Sequence, residues 1–114
     1  MRPFALSRDT FHILVALADR DRHGYSIMQE VSERTGGQVS LSPSTLYSAI
    51  KRLLEAGLIQ ELEERPDSEH DDERRRYYRL SKAGRRAAIE EARQLEKLLS
   101  DARSSGLVPK RLGA

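Results

Sequence analysis

Residues 41–59 decide the fold: Leu41-Ser42-Pro43-Ser44-Thr45-Leu46-Tyr47-Ser48-Ala49-Ile50-Lys51-Arg52-Leu53-Leu54-Glu55-Ala56-Gly57-Leu58-Ile59. Ser42 has the side chain to accept a hydrogen bond from a free N–H of a first helical turn, and Pro43 suits the first helical position. Leu46, Ala49, Ile50, Leu53 and Leu54 recur at helical spacing and form one apolar stripe. Gly57 suits the position just past a helix C-terminus. The opposite face carries Ser44, Thr45, Tyr47 and Ser48, followed by Lys51 and Arg52. The first turn holds no Asp or Glu, although an acid there would complement the helix dipole. Hydroxyls, one aromatic ring and then cations suit a helix laid in a DNA major groove, with its N-terminus close to phosphate. An ordinary amphipathic core helix with a serine cap shares most of these features, so its surroundings must decide.

Upstream, the pattern predicts a helix over about Ser7–Ala18, capped by Ser7, with Phe11, Leu14, Val15 and Ala18 on one face and Ile13 and Leu17 widening it. Asp19–His23 reads as a polar turn. Gly24 opens a second helix whose stripe is Tyr25, Ile27, Met28 and Val31, closed by Gly36-Gly37. Val39 and Leu41 then alternate with polar residues, which suits an extended connector within reach of a small sheet. Downstream of Gly57, Leu58, Ile59 and Leu62 lie in a strand ending near Arg65. Residues 66–73 form a polar loop, and Arg75–Leu80 is the returning strand, with Tyr78 and Leu80 inward and Arg75, Tyr77 and Arg79 outward. Ser81 caps a last helix over about Lys82–Arg103. Along it Ala88, Ala92, Leu95, Leu99 and Ala102 make a heptad seam.

The fold class is therefore mainly α with a small β-hairpin: a winged helix-turn-helix over residues 1–80, a long C-terminal helix over 81–103 and a flexible tail over 104–114. A chain of 114 residues, 38% hydrophobic and 33% charged, makes one domain with a lean core, which favours association. The net charge of +2 does not by itself argue for nucleic acid, but the charge is unevenly placed. From Glu61 to Glu73 the only base is Arg65, whereas from Arg74 to Arg86 every charged residue is basic. Without cysteine there is no disulfide or thiolate chemistry, and no signal peptide or long apolar run is seen, so a cytoplasmic protein without a membrane partner is expected. No nucleophile elbow, phosphate loop or apolar-set carboxylate pair is present, so no catalytic residue, metal site or cofactor is assigned. His70 beside Asp71 and Asp72 reads as a solvated loop cluster rather than a metal site.

Five segments carry a resemblance. His23-Gly24-Tyr25-Ser26-Ile27, Thr35-Gly36-Gly37, Leu41-Ser42-Pro43-Ser44-Thr45-Leu46-Tyr47, Leu53-Leu54-Glu55-Ala56-Gly57-Leu58-Ile59 and Arg74-Arg75-Arg76-Tyr77-Tyr78-Arg79-Leu80-Ser81-Lys82-Ala83-Gly84 resemble, in order and spacing, the PadR family of transcriptional regulators. The resemblance spans about residues 8–90, and the short last helix is similar to that of the family's compact branch. It implies a dimeric repressor that binds a palindromic operator in double-stranded DNA and leaves it when a small effector, aromatic or phenolic in class, binds. It also makes the last helix the dimer element, with an expected interface of Phe11, Ala88, Ala92, Leu95, Leu99 and Ala102. The chain has no tryptophan, which some relatives use to stack flat aromatic effectors.

The expected DNA-contacting set is Tyr25, Ser42, Ser44, Thr45, Tyr47, Ser48, Lys51, Arg74, Arg75 and Arg76. Tyr25 either reaches the DNA backbone or packs against the third helix, and Tyr47 borders the apolar face. The three arginines either lie along the DNA backbone or minor groove, or are neutralised by the neighbouring acids. The competing function is a winged-helix protein-interaction module without sequence-specific DNA binding.

Overall fold

A computed structural model of the protein describes residues 6–62 and 76–108. The element order is α1 (Arg8–Ala16), β1 (Arg22–His23), α2 (Gly24–Arg34), α3 (Pro43–Glu55), β2 (Ile59–Leu62), β3 (Tyr77–Leu80) and α4 (Lys82–Ser104). This is the winged helix-turn-helix with a long C-terminal helix that the sequence predicts. Among the described residues no helix is long and apolar enough to cross a membrane.

Each helix starts on a capping side chain. Ser7 Oγ accepts from the Thr10 N–H, Ser42 Oγ from the Thr45 N–H at 3.1 Å, and Ser81 Oγ from the Gly84 N–H at 2.9 Å. His23 takes the same role for α2, its Nδ1 accepting from the Ser26 N–H at 3.2 Å. At the end of α3 the chain turns through Gly57, whose φ of 76° is open to glycine and strained for most other residues. That turn lets the Leu58 N–H reach the Leu53 carbonyl at 3.0 Å and the Gly57 N–H reach that of Leu54 at 3.1 Å.

The core is built where three helices meet one sheet face. Ile13, Leu14, Ile27, Leu46 and Leu53 are fully buried, and Tyr78 closes the sheet side. On α1 the buried face is turned from the expected one. Thr10, Ile13, Leu14 and Ala16 are buried, while Phe11 and Val15 are half-buried and Ala18 is exposed. Thr10 can enter the core because its hydroxyl donates to the Ser7 carbonyl at 3.0 Å, so no polar group is stranded. That rotation leaves Phe11 toward the outside. On α2, Tyr25 likewise leaves the expected stripe and is 57% exposed.

The sheet has three strands in the order β1-β3-β2, all antiparallel. Its third strand corrects two expectations. Arg22–His23, expected in a polar turn, pairs with β3 in the register Arg22 to Tyr78 and His23 to Tyr77. The connector around Val39–Leu41 does not reach the sheet. Leu41 is buried in the core, Val39 packs against it, and the Val39 N–H is taken by Thr35 Oγ1 at 3.0 Å. Arg22 explains why the Asp19–His23 segment folds back. Its Nε donates to the Ala16 carbonyl at 2.6 Å, satisfying the end of α1, and its guanidinium lies 3.4 Å from Asp19 and 3.5 Å from Glu30. Tyr78 and Leu80 face inward as expected. Tyr77 is half-buried because the His23 ring meets it edge-on, 5.2 Å between centroids. Residues 63–75, on which the expected strand ends near Arg65 and Arg75 and the expected polar loop over 66–73 fall, lie outside the described residues.

The start of α4 is fastened to the turn between α3 and β2. Ser81 N–H donates to the Leu58 carbonyl at 3.1 Å and Ser81 Oγ to that of Gly57 at 2.8 Å. Ala83, Ala87 and Ala88 then pack against the core before the helix leaves it. α4 runs to Ser104, and the Leu107 N–H closes its last turn on the Ala102 carbonyl at 2.9 Å. Residues 104–107 are thus part of the helix end rather than of the expected tail. Of that tail, residues 109–114 lie outside the described residues.

Gly84 makes this junction possible. A Cβ there would stand 1.9 Å from the Leu58 carbonyl oxygen and 2.9 Å from its carbon. Alanine ordinarily favours a helix over glycine, but this clash is with backbone and no rotamer relieves it. Gly84→Ala is expected to lower stability by about 1–3 kcal/mol, as overpacked sites do. Urea unfolding measures it, and an unchanged midpoint would show that α4 does not sit this close to Leu58.

Candidate nucleic-acid interface

The polar face of α3 stands outward along its length. Ser42, Ser44, Thr45, Tyr47, Ser48, Lys51 and Arg52 are all exposed, over an apolar face in which Leu46, Ala49, Ile50 and Leu53 are buried. The first turn of α3 contains no acid, and neither does that of α2. The hydroxyls are partly ordered before any partner arrives. Ser42 Oγ donates to Thr45 Oγ1 at 3.1 Å, which leaves the Thr45 proton free to point outward. Ser48 Oγ accepts from Arg52 Nη1 at 3.0 Å. Lys51 is exposed and has neither a hydrogen-bonded nor an ion-paired partner among the described residues.

Tyr25 stands at the start of α2 with 57% of its surface exposed, so it is open to a partner. Tyr47 is 49% exposed, and the far end of its ring rests against Gly24. It also forms one wall of a groove of about 350 Å³ between α3 and β3, lined by Ile50, Leu54 and Tyr78 on the apolar side and by Lys51 and Arg76. Burial pushes the Tyr78 hydroxyl above the usual tyrosine range, so it stays a neutral group.

Arg76 enters the wing beside Glu61 on the neighbouring strand, with Nη1 2.5 Å from Glu61 Oε2. The hydrogen bond and charge of that carboxylate hold the guanidinium above its ordinary pKa. Both alternatives for this arginine therefore meet in one place: it is solvent-exposed and it is already paired with an acid. Arg74 and Arg75 lie outside the described residues, as do His70, Asp71 and Asp72. Among the described residues there is no group of three or more His, Cys, Asp or Glu that could hold a metal ion.

The expected association seam is split by its surroundings. Ala88 is half-buried against the core of its own chain. Beyond it Ala92 is exposed, Leu95 and Leu99 are 40% and 46% exposed, and Ala102 is half-buried. Ile89 and Leu98, at 46% and 63% exposure, extend the apolar surface beyond the expected seam. Leu98 lies three residues after Leu95 and four before Ala102, so helical spacing already placed it on a neighbouring row. Phe11 is half-buried on α1, the helix on which α4 packs.

Comparison with known proteins agrees with this architecture. Residues 13–90 match the family described as the transcriptional regulator PadR-like family. The chain is 42% identical over 98 residues to the transcriptional regulator Rv3488 of Mycobacterium tuberculosis, covering 86% of this chain and 85% of that protein. Its fold is similar to that of a PadR family transcription regulator from Clostridium difficile, with a TM-score of 0.75, 24% identity and coverage of 86% and 97% of the two chains. It is also similar to Bacillus subtilis PadR in complex with operator DNA, with a TM-score of 0.63, 21% identity, and coverage of 75% of this chain and 48% of that one. The matched segment spans the winged domain and the first part of α4, and the chain therefore belongs to the PadR-like family of transcriptional regulators.

Proposed function

We propose that this chain is a homodimeric, cytoplasmic repressor that binds a palindromic operator in double-stranded DNA, with residues 1–80 reading DNA and residues 81–103 joining the two copies. The carrying observation is the exposed face of α3, where hydroxyls, one aromatic ring and a lysine without a partner among the described residues stand on a capped helix without an acid in its first turn. Ser44, Ser48 and Lys51 suit phosphate contacts, and Thr45 and Tyr47 suit base edges or a thymine methyl. A protein-docking face would expose apolar anchors instead. The relative from Bacillus subtilis, seen with operator DNA, supports the same assignment. Release by a small aromatic or phenolic effector rests on the family resemblance.

Selection of duplexes from a random-sequence pool tests DNA reading directly. On the enriched duplex, Thr45→Ala or Tyr47→Ala is expected to weaken specific binding more than non-specific binding, by about 1–3 kcal/mol for removal of one base interaction. Lys51→Ala is expected to weaken both alike. Unchanged selectivity in folded Thr45 and Tyr47 variants would place specificity elsewhere.

The wing is expected to act through charge. Replacing Arg74, Arg75 and Arg76 by alanine should flatten the plot of log affinity against log salt by about one unit for each phosphate that is no longer neutralised. Arg76 is already paired with Glu61, so Arg74 and Arg75 should account for most of the change. An unaltered slope would mean that these arginines are solvated charges only.

A palindrome requires two recognition helices related by a twofold axis, and among the described residues one chain offers a single such helix, α3. Burial of a leucine contributes about 1.5–3 kcal/mol, counted twice in a symmetric pair. Leu95→Asp with Leu99→Asp is therefore expected to give a folded monomer with greatly reduced operator affinity. Sedimentation at micromolar concentration decides it, and a persisting dimer would locate the interface off this seam.

A further inference from the structure

Two glycines of this chain face steric limits of different kinds. At Gly84 the space for a side chain is filled by the Leu58 backbone. At Gly24 it is filled by the ring of Tyr47, since a Cβ there would stand 2.3 Å from Tyr47 Oη, 2.9 Å from Cζ and 3.2 Å from Cε1. Packed carbon atoms keep about 3.5–4 Å, so the tyrosine occupies the volume that any other residue at position 24 would need. The backbone itself makes no such demand. Gly24 is not among the glycines with positive φ, and alanine is the better helix former at such a position. What the missing side chain provides is a resting place for a ring that comes from another helix.

Tyr47 is also the one aromatic on the exposed face of α3. Held against the start of α2, it stands between the helix hydroxyls and the groove formed with Lys51, Arg76 and Tyr78. A ring fixed in the free protein loses little further freedom on binding, which favours the complex. We propose that Gly24 is a positioning residue of the DNA interface: by lacking a side chain it seats Tyr47, and the seated ring contributes to operator selectivity. This rests on the DNA-reading role of α3. The obstructing atoms lie at the far end of a side chain, so Gly24→Ala displaces the ring by rotation and leaves the backbone in place.

The test uses the full chain, the duplex that it enriches from a random-sequence pool and a scrambled duplex of the same composition. Gly24→Ala is expected to reduce affinity for the enriched duplex about tenfold, the size of one missing base interaction. Binding to the scrambled duplex and the oligomeric state should be unchanged. Measured against Tyr47→Phe alone, which removes the atom in closest conflict, the same substitution should cost less. Against Tyr47→Ala alone it should cost nothing. The Tyr47 ring-proton resonances should also shift in Gly24→Ala without DNA. An equal loss in the Tyr47→Ala background, unaltered selectivity in Gly24→Ala, or unmoved Tyr47 resonances would each overturn the proposal. If Gly24→Ala does not fold, recovery of folding in Gly24→Ala/Tyr47→Ala supports the steric coupling and failure to recover overturns it. If the wild-type chain enriches no sequence, the DNA-reading role itself fails, and the positioning role falls with it.

Discussion

The Leu58 carbonyl accepts the Ser81 N–H at 3.1 Å and lies directly under Gly84, where no side chain intervenes. Three functional parts converge on that contact. The Leu58 N–H terminates α3 through the Leu53 carbonyl, the residue after it begins β2, and Ser81 begins α4. A helix end, a sheet edge and a helix start thus share a few backbone atoms. This close approach, the packing of Ala83, Ala87 and Ala88 on the core and the Arg85 hydrogen bond to the Ala18 carbonyl together hold α4 in its direction relative to α3. Two such chains joined along α4 would then carry their two α3 faces at a spacing decided by the same contacts.

The other fixed point is the segment that follows α1. Arg22 satisfies the end of α1, pairs with two carboxylates and holds the chain where β1 can join β3. The next two residues cap α2 and make room for Tyr47. This short polar segment ties α1, α2, the sheet and the exposed face of α3 together while contributing no large apolar side chain. Glu61 adds a smaller constraint on the wing by engaging Arg76, so the basic charge entering the hairpin is partly balanced before any polyanion approaches.

The features legible in the sequence are those with local causes. Ser7, Ser42 and Ser81 cap helices within the next three residues, and Gly57 ends α3 by a backbone conformation most other residues avoid. The stripe of α3 is legible because it is continuous and strongly periodic. The departures from expectation have tertiary causes. β1 is two polar residues whose strand character exists only opposite Tyr77 and Tyr78. The face of α1 turns because Thr10 satisfies its own hydroxyl locally and can be buried. Val39 and Leu41 alternate like a strand, yet Thr35 takes the Val39 N–H that a ladder would need. In the site, the polar residues of α3 are legible individually, whereas the contact of Tyr47 with Gly24 requires knowing how two helices cross.

Hydroxyl-radical footprinting of the wild-type chain on its enriched duplex measures the geometry that the Leu58 junction helps to set. Two equivalent protected half-sites, related by a twofold axis and about one helical turn of 10–10.5 base pairs apart or a multiple of it, are expected of two winged domains held rigidly by paired α4 helices. A single protected half-site, or two half-sites whose separation can be varied by a few base pairs without loss of affinity, would contradict a rigid twofold reader.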